Sequence, residues 1–406
     1  MDIINKISPS KKEREKINKI ISIFFKKITA KLKDAKPELG GSMAKDTWLA
    51  GDHDIDIFVR FPYKKYKDKD ISNELQKRLK TIKYDVMHGS RDYLQAKQGK
   101  YLFELIPVLD IHHSSMHMNI TDVSPLHARF VKRNNKDPIQ TRMLKAFLKA
   151  NNLYGAESYI RGFSGYVAEL LIIHYKNFPN LVKSAGSWKS RTIIDMLEHY
   201  KNEKEVILNM NKDKINNLIL VDPVQAERNA AAALCEEKYF EFINLCKNYL
   251  RNPKKEYFEL KEFNLNELKK IKKKNKLLTL IINPLGGKPD VVGSKILKVF
   301  NYINKKILDE GFNIIESKWQ WKDSALLYYI VKNEKLNNVI IHDGPYIKDL
   351  DNVKKFKEKW KKIYYNKDRV YVKLKRKHNT INKFSKIFLK DNYVKDNIKN
   401  IKLKVY

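Results

Sequence analysis

Two cysteines in 406 residues, Cys235 and Cys246, are too few for a disulfide framework and lack the spacing of a thiolate metal site. A reducing compartment without structural zinc is the expectation. No apolar run approaches the roughly 18 residues that a membrane-spanning helix needs, and the stretch IISIFF, residues 20–25, is closed on both sides by lysine. A cytoplasmic protein with no membrane partner is expected. Acidic residues are also scarce: 47 Asp and Glu face 82 Lys and Arg, leaving a formal charge of +35. An excess of that size favours a polyanionic partner, nucleic acid first, through long-range attraction and counterion release. A lysine-rich composition without functional cause would supply part of the same excess. With 43% hydrophobic and 11% aromatic residues the chain has material for real cores, and its length accommodates two or three domains.

The spacing of the apolar residues divides the chain into three. Over residues 8–34, Ser10 stands three positions before Glu13, and Ile17, Ile20, Ile21, Phe24, Phe25, Ile28 and Leu32 share one helical face. From Asp54 the period falls to two, which predicts a strand; ISNELQKRLKTI returns to helix, and RDYLQAKQGKYLFELIPVLDI reads as two strands about a Gln98-Gly99 turn. Residues 1–125 are therefore expected to be a mixed α/β domain. Residues 126–252 read as helical, with Ser124-Pro125 and Asp137-Pro138 as helix starts and one long amphipathic helix from Glu227 to about Leu250. After the break at RNPKKEY, residues 253–406 alternate strands and helices, ending in the helix NVKKFKEKWKKI and the strand RVYVKLK. With one strand too many, NVIIHDG, the order approximates β-α-β-β-α-β, the ferredoxin-like arrangement of many RNA-binding modules. The fold class expected is α+β: a mixed-sheet head, a helical middle domain and an α+β C-terminal region.

The chemistry concentrates in GGSMAKDTWLAGDHDIDIFVRF, residues 40–61. On a strand Asp54 and Asp56 project from one face while Ile55 and Ile57 enter the core from the other. Two like charges about 7 Å apart repel unless cations lie between them. Glu104, in the strand YLFELIPV, shares its face with Leu102 and Ile106, where a carboxylate is costly unless paired or coordinated. Three such carboxylates offer the hard oxygen ligands Mg²⁺ accepts, and two ions of that kind can activate an attacking hydroxyl and steady a leaving pyrophosphate. Gly40 and Gly41 permit close backbone approach, with Ser42 a donor to phosphate. Taken singly, the acids also fit an exposed edge strand and the Gly-Ser pair a plain turn.

In this combination the sequence resembles the nucleotidyltransferase superfamily and, within it, the archaeal class I CCA-adding enzymes. TDVSPLHARFV, MLKAFLKANNLYGAESYIRGFSGYVAELLIIHY, VDPVQAERNAAAAL and GGKPDVVGSKI extend the resemblance over nearly the whole chain. It implies template-independent addition of C, C and A to the 3′ end of tRNA from CTP and ATP with Mg²⁺, and suggests a homodimer. It also implies a catalytic domain at 1–125, a nucleotide- and tRNA-binding domain at 126–252 and a tRNA-binding body and tail at 253–406. Asp54, Asp56 and Glu104 match the metal-binding carboxylates, although the third is more often aspartate in relatives. Ser42, Lys45, His127, Lys145 and Tyr154 match groups on the triphosphate, and Arg228 the arginine that reads the incoming base. Read without the resemblance, His127 lies in the first turn of a proline-started helix, which favours an anion. Arg142, Lys145 and Lys149 form one helical stripe able to grip phosphates or simply to face solvent. The alternatives are a poly(A)-type polymerase, which would use the same carboxylates with ATP alone, and a non-catalytic RNA-binding protein on a degenerate form of the fold.

Overall fold

The alternation after Asp54 builds the centre of a five-stranded sheet in the computed structural model, which describes residues 2–260, 264–333 and 335–406. The chain divides into two units, Met1–Lys261 and Glu262–Tyr406. In the first, β1 (Lys36–Leu39), β2 (Asp54–Pro62), β3 (Asp85–Met87), β4 (Tyr93–Gln98) and β5 (Tyr101–Asp110) lie in the order β1-β2-β5-β4-β3. Only β2 and β5 run parallel, with Asp56 paired to Glu104; the other neighbours are antiparallel. Ile55, Ile57, Val59 and Phe61 of β2 and Phe103 and Leu105 of β5 are buried against the helix Lys11–Thr29 through Ile17, Phe24 and Ile28. Each such side chain stabilises the domain by about 1.5–3 kcal/mol. The rings of Phe24 and Phe103 stack at 3.9 Å. The helix begins as the sequence signals, with the Ser10 hydroxyl accepting from Glu13 N at 3.2 Å. Because this face of the sheet is committed to the core, the acids on alternate positions are left on the other.

Helices Ser124–Asn134, Pro138–Ala150, Gly165–Tyr175, Phe178–Ala185 and Glu236–Arg251 follow. Their core includes Phe147, Phe163, Leu170, Leu171, Phe178 and Phe242. Two features depart from the sequence reading. A pair of short parallel strands, β6 (Thr192–Ile194) and β7 (Leu218–Leu220), interrupts the helices; apolar runs this short have no period to identify them. The expected helix from Glu227 begins instead at Glu236. Helix propensity in the alanine run 230–233 is overridden by side-chain bonds from buried Asn229, which accepts from Leu220 N at 3.0 Å and donates to Lys214 O at 2.9 Å. Arg228 consequently sits in a loop.

In the second unit β8 (Lys276–Pro284), β9 (Ile314–Trp321), β10 (Ala325–Val331), β11 (Val339–Tyr346), β12 (Tyr364–Tyr365), β13 (Arg369–Lys375) and β14 (Ile398–Val405) form two sheets. The larger, β14-β8-β10-β9, is antiparallel throughout and packs on the helix Pro289–Asp309. Numbered along the chain this is strand order 4-1-3-2, so the β-α-β-β-α-β arrangement holds with a correction. Its last strand is β14, whereas RVYVKLK is β13 and pairs with β11 and β12 in a separate sheet inserted before β14. The lysines alternating with apolar residues in IKNIKLKV suit an edge strand, since charge on an edge deters pairing with another chain. Among the described residues no helix is long and apolar enough to cross a membrane.

Candidate active site

The parallel register of β2 and β5 sets Asp56 beside Glu104 and Asp54 beside Leu102 on the face away from the core. Asp54 is exposed, Asp56 and Glu104 half-buried. Burial pushes the Asp56 carboxyl above its ordinary range, Lys45 opposes this and Asp54 adds to it. Burial likewise raises Glu104, helped by the Asp56 charge and opposed by Gln95 Nε2, which donates to Glu104 Oε1 at 3.1 Å. The three acids thus sense one another, and among the described residues no three His, Cys, Asp or Glu side chains are drawn close enough to hold a metal ion. Carboxylates without a counter-charge stand apart. As a set of hard oxygens, with the proton affinity of Asp56 and Glu104 raised, they fit a divalent cation of the Mg²⁺ kind.

The glycine turn lies directly on these acids. Gly41 has φ +56°, and a Cβ there would fall 1.6 Å from Asp56 Oδ2; a Cβ on Gly40 would meet the Phe58 ring at 2.7 Å. Gly40 N donates to Asp56 O at 2.8 Å, fastening the turn to β2. Both positions therefore require glycine, one for conformation and both for space. Ser42 follows within the single helical turn Gly41–Ala44, its carbonyl accepting from Thr47 N at 3.0 Å.

Lys45 points from this turn to a residue the sequence reading passed over. Glu169, wholly buried on the helix Gly165–Tyr175, accepts from Lys45 Nζ at 2.6 Å, from Lys145 Nζ at 3.1 Å and from Thr47 Oγ1 at 2.6 Å. Burial alone would raise the Glu169 carboxyl, but the Lys145 and Lys45 charges with their hydrogen bonds prevail and hold it below the ordinary range. Burial also lowers the Lys145 ammonium, against the pull of Glu169. Arg142 donates to Trp48 O at 3.0 Å and to Asp46 Oδ1 at 2.6 Å, and Lys149 lies 3.4 Å from Asp52. The basic stripe is thus folded against the loop between Asp46 and Asp52, and Arg142 and Lys145 are buried, so the alternative of a plain solvent-facing stripe does not hold for them. Tyr154 bridges to Phe163, and burial, then Glu169, raises its hydroxyl. That hydroxyl lies 2.9 Å from where a Gly165 Cβ would stand, a point 3.9 Å from Lys145 Nζ.

A second unforeseen acid gathers the remaining residues. Asp222 is wholly buried; His127 Nε2 lies 3.0 Å from its Oδ2, Arg228 Nη1 donates to the same oxygen at 2.5 Å, and the Tyr166 hydroxyl donates to Oδ1 at 3.0 Å. Burial would raise this carboxyl, but His127 and Arg228 bring it below its ordinary value. The nine residues named from sequence therefore fall into three groups: Asp54, Asp56 and Glu104 with Ser42 close by in the turn; Lys45, Lys145 and Tyr154 about Glu169; His127 and Arg228 about Asp222. The signal for the two missed acids was present, since each is a lone charge in an apolar run, VAELLII and LILVD. Such a charge demands a partner.

A mixed sheet bearing D-x-D on one strand, a third carboxylate on its parallel neighbour and a glycine turn on those acids defines a nucleotidyltransferase. The chain matches the nucleotidyltransferase domain family over residues 17–106, the second domain of tRNA nucleotidyltransferase over 139–259 and the C-terminal domain of CCA-adding enzyme over 287–400. It is 37% identical over 340 residues to the CCA-adding enzyme of Nanoarchaeum equitans, with 81% of each chain covered. Against that of Methanocaldococcus jannaschii it is 29% identical over a 419-residue alignment covering all of this chain and 92% of the other. A crystal structure of the Cid1 poly(U) polymerase bound to MgATP overlaps 64% of this chain and 97% of its own at a TM-score of 0.50 and 10% identity, a likeness of fold alone. The chain belongs to the archaeal CCA-adding enzyme family. Its activity is template-independent nucleotide addition at the 3′ end of tRNA.

Proposed function

We propose that the protein adds C, C and A in turn to tRNA from CTP and ATP, releasing pyrophosphate, with Asp54, Asp56 and Glu104 as the residues that hold Mg²⁺. The observation that carries this is the in-register pair Asp56 and Glu104 lying under a glycine turn too close to Asp56 to admit a side chain. Bound there, Mg²⁺ would supply charge neutralisation at the α-phosphate and lower the pKa of the attacking ribose hydroxyl. The chain's own residues position. Ser42 and Lys45 from the turn, with Lys145, Tyr154 and His127, take the triphosphate; Arg228 takes the base. Lys45 and Lys145 are already gathered on Glu169, so two ammonium groups are fixed before the nucleotide arrives and little side-chain freedom is lost on binding. In this reading residues 1–125 carry catalysis, 126–252 the nucleotide and acceptor end, and 253–406 the tRNA body.

Extension of tRNA lacking its terminal CCA tests the reading. With CTP and ATP together the product is expected to stop three residues longer, releasing one pyrophosphate per residue. A ladder of A residues with ATP alone would instead indicate a poly(A)-type polymerase, and absence of pyrophosphate a binding protein.

The raised carboxyls give a second test. Asp56 and Glu104 titrate above their ordinary values of 3.8 and 4.5, so in that window the folded state carries more protons than the unfolded. Stability without Mg²⁺ therefore falls as pH rises from the unfolded values through the raised ones. Mg²⁺ competes with those protons, so the rise in Tm on adding Mg²⁺ is expected to be larger at about pH 8 than at about pH 5. A pH-independent increment would remove these acids from the binding site.

A further inference from the structure

We propose that Asp222 is the positioning residue that sets nucleotide selectivity, by fixing Arg228 and His127 through one buried carboxylate. The inference rests on the proposed reading of Arg228 as the base-contacting group and adds to it a residue that touches neither base nor phosphate.

Asp222 cannot itself be a ligand contact. Its Oδ1 accepts from Val224 N at 2.9 Å and from the Tyr166 hydroxyl at 3.0 Å; its Oδ2 takes Arg228 Nη1 at 2.5 Å and lies 3.0 Å from His127 Nε2. Of the roughly four acceptor sites of a carboxylate, three are filled by hydrogen bonds, and His127 Nε2 stands at ion-pair distance from Oδ2. Its side chain is wholly buried, whereas those of its two basic partners remain 15% and 33% exposed at His127 and Arg228. The partners come from separate elements: His127 from the helix Ser124–Asn134, Tyr166 from the helix Gly165–Tyr175, and Arg228 from the loop after β7. The same aspartate also holds the Arg228 backbone, since Asp222 N donates to Arg228 O at 3.0 Å. Arg228 is thus fixed at both ends of its residue.

Fixing matters for selection because a guanidinium offers donors only. Cytosine and adenine carry an exocyclic amine where uracil and guanine carry a carbonyl oxygen, and those oxygens accept from arginine as readily as the ring acceptors of the correct bases. An arginine free to swing would therefore satisfy all four. One whose Nη1 edge is clamped presents its remaining donors at a single place, where the amine of a correct base fits and the geometry for a wrong base is lost. Pairing also removes rotamer freedom before the nucleotide binds.

The experiment compares kcat/KM for single additions: CTP against UTP on tRNA lacking CCA, and ATP against GTP on tRNA ending in CC. Asp222→Asn, which keeps the volume and removes the charge, is expected to lower both ratios by about 10- to 100-fold, the worth of a hydrogen bond to a charged group. A merely structural aspartate would depress all four nucleotides together and leave the ratios unchanged, which would overturn the proposal. In an Arg228→Ala background the same change is expected to cost no further selectivity; losses that multiply would overturn it too, because residues acting through one contact are non-additive. Should Asp222→Asn fold poorly, Tyr166→Phe removes one bond from the same carboxylate and is expected to lower the ratios several-fold, with unchanged ratios counting against the proposal. Failure of the underlying reading is separable: Arg228→Ala would then retain the wild-type ratios, whereas failure of this inference alone leaves Arg228→Ala unselective and Asp222→Asn selective.

Discussion

Asp56→Asn is expected to lower nucleotide addition by at least about 10³-fold while raising the Tm measured without Mg²⁺, because loss of a metal ligand forfeits several kcal/mol of charge stabilisation at tenfold in rate per 1.4 kcal/mol. The two effects have opposite signs for one reason. Asp56 lies beside Glu104 in the β2–β5 register, senses Asp54 on the same face, and is pushed above its ordinary pKa first by burial and then by that neighbour, with Lys45 only partly compensating. Asparagine is nearly the same shape, keeps the backbone bond from Gly40 and removes the charge that the fold tolerates at a cost. The variant should also lose the Mg²⁺-dependent increment in Tm and keep its affinity for tRNA. Steady-state extension, thermal melting with and without Mg²⁺, and a tRNA-binding titration make the comparison. A variant that adds nucleotides at even a tenth of the wild-type rate would take Asp56 out of the catalytic assignment.

The acids were legible as candidates because their pattern within each strand is local. A two-residue period put Asp54 and Asp56 on one face, and a second strand with a charge in an apolar setting supplied Glu104; that β2 and β5 are parallel neighbours in a five-stranded sheet was not legible. Gly40 and Gly41 were legible as a close approach, though not that the atom approached is Asp56 Oδ2. The illegible parts depend on contacts distant in sequence. Lys45 and Glu169 are separated by 124 positions, and Arg142 and Asp46 by 96, so a basic stripe that looks solvent-facing by helical spacing is in fact buried against another segment. Likewise, nothing in the strong helix formers after Glu227 announces that Asn229 will spend its side chain on Leu218 and Leu220 and stop the helix. In the second unit the alternation found β8, β9, β10, β11 and β13 but stopped at RVYVKLK and missed β14, whose Lys-apolar pattern resembles that of β13 and which only its pairing with β8 distinguishes.

Glu169→Gln tests the other long-range feature and should be the most destabilising single change near the site, by about 3–5 kcal/mol at neutral pH, as expected when one partner of a buried ion pair is removed. The glutamine keeps the length and can still accept from Thr47, so the loss comes from two ammonium groups, Lys45 and Lys145, left together without a counter-charge. Lys145 supplies the pH signature. Burial already depresses its pKa below the ordinary 10.5, and without Glu169 the depression deepens. Between the depressed value and 10.5 the unfolded chain binds more protons than the folded one, so stability of the variant rises with pH. The Tm deficit relative to wild type is therefore expected to shrink from about pH 7 to about pH 9, where Lys145 can sit neutral in the variant. A polyphosphate offers the missing negative charge, so CTP or inorganic tripolyphosphate should raise the Tm of Glu169→Gln by more than that of the wild type. A deficit that is flat with pH and unmoved by tripolyphosphate would mean that Glu169 serves packing alone and that Lys45 and Lys145 are not the phosphate-facing pair.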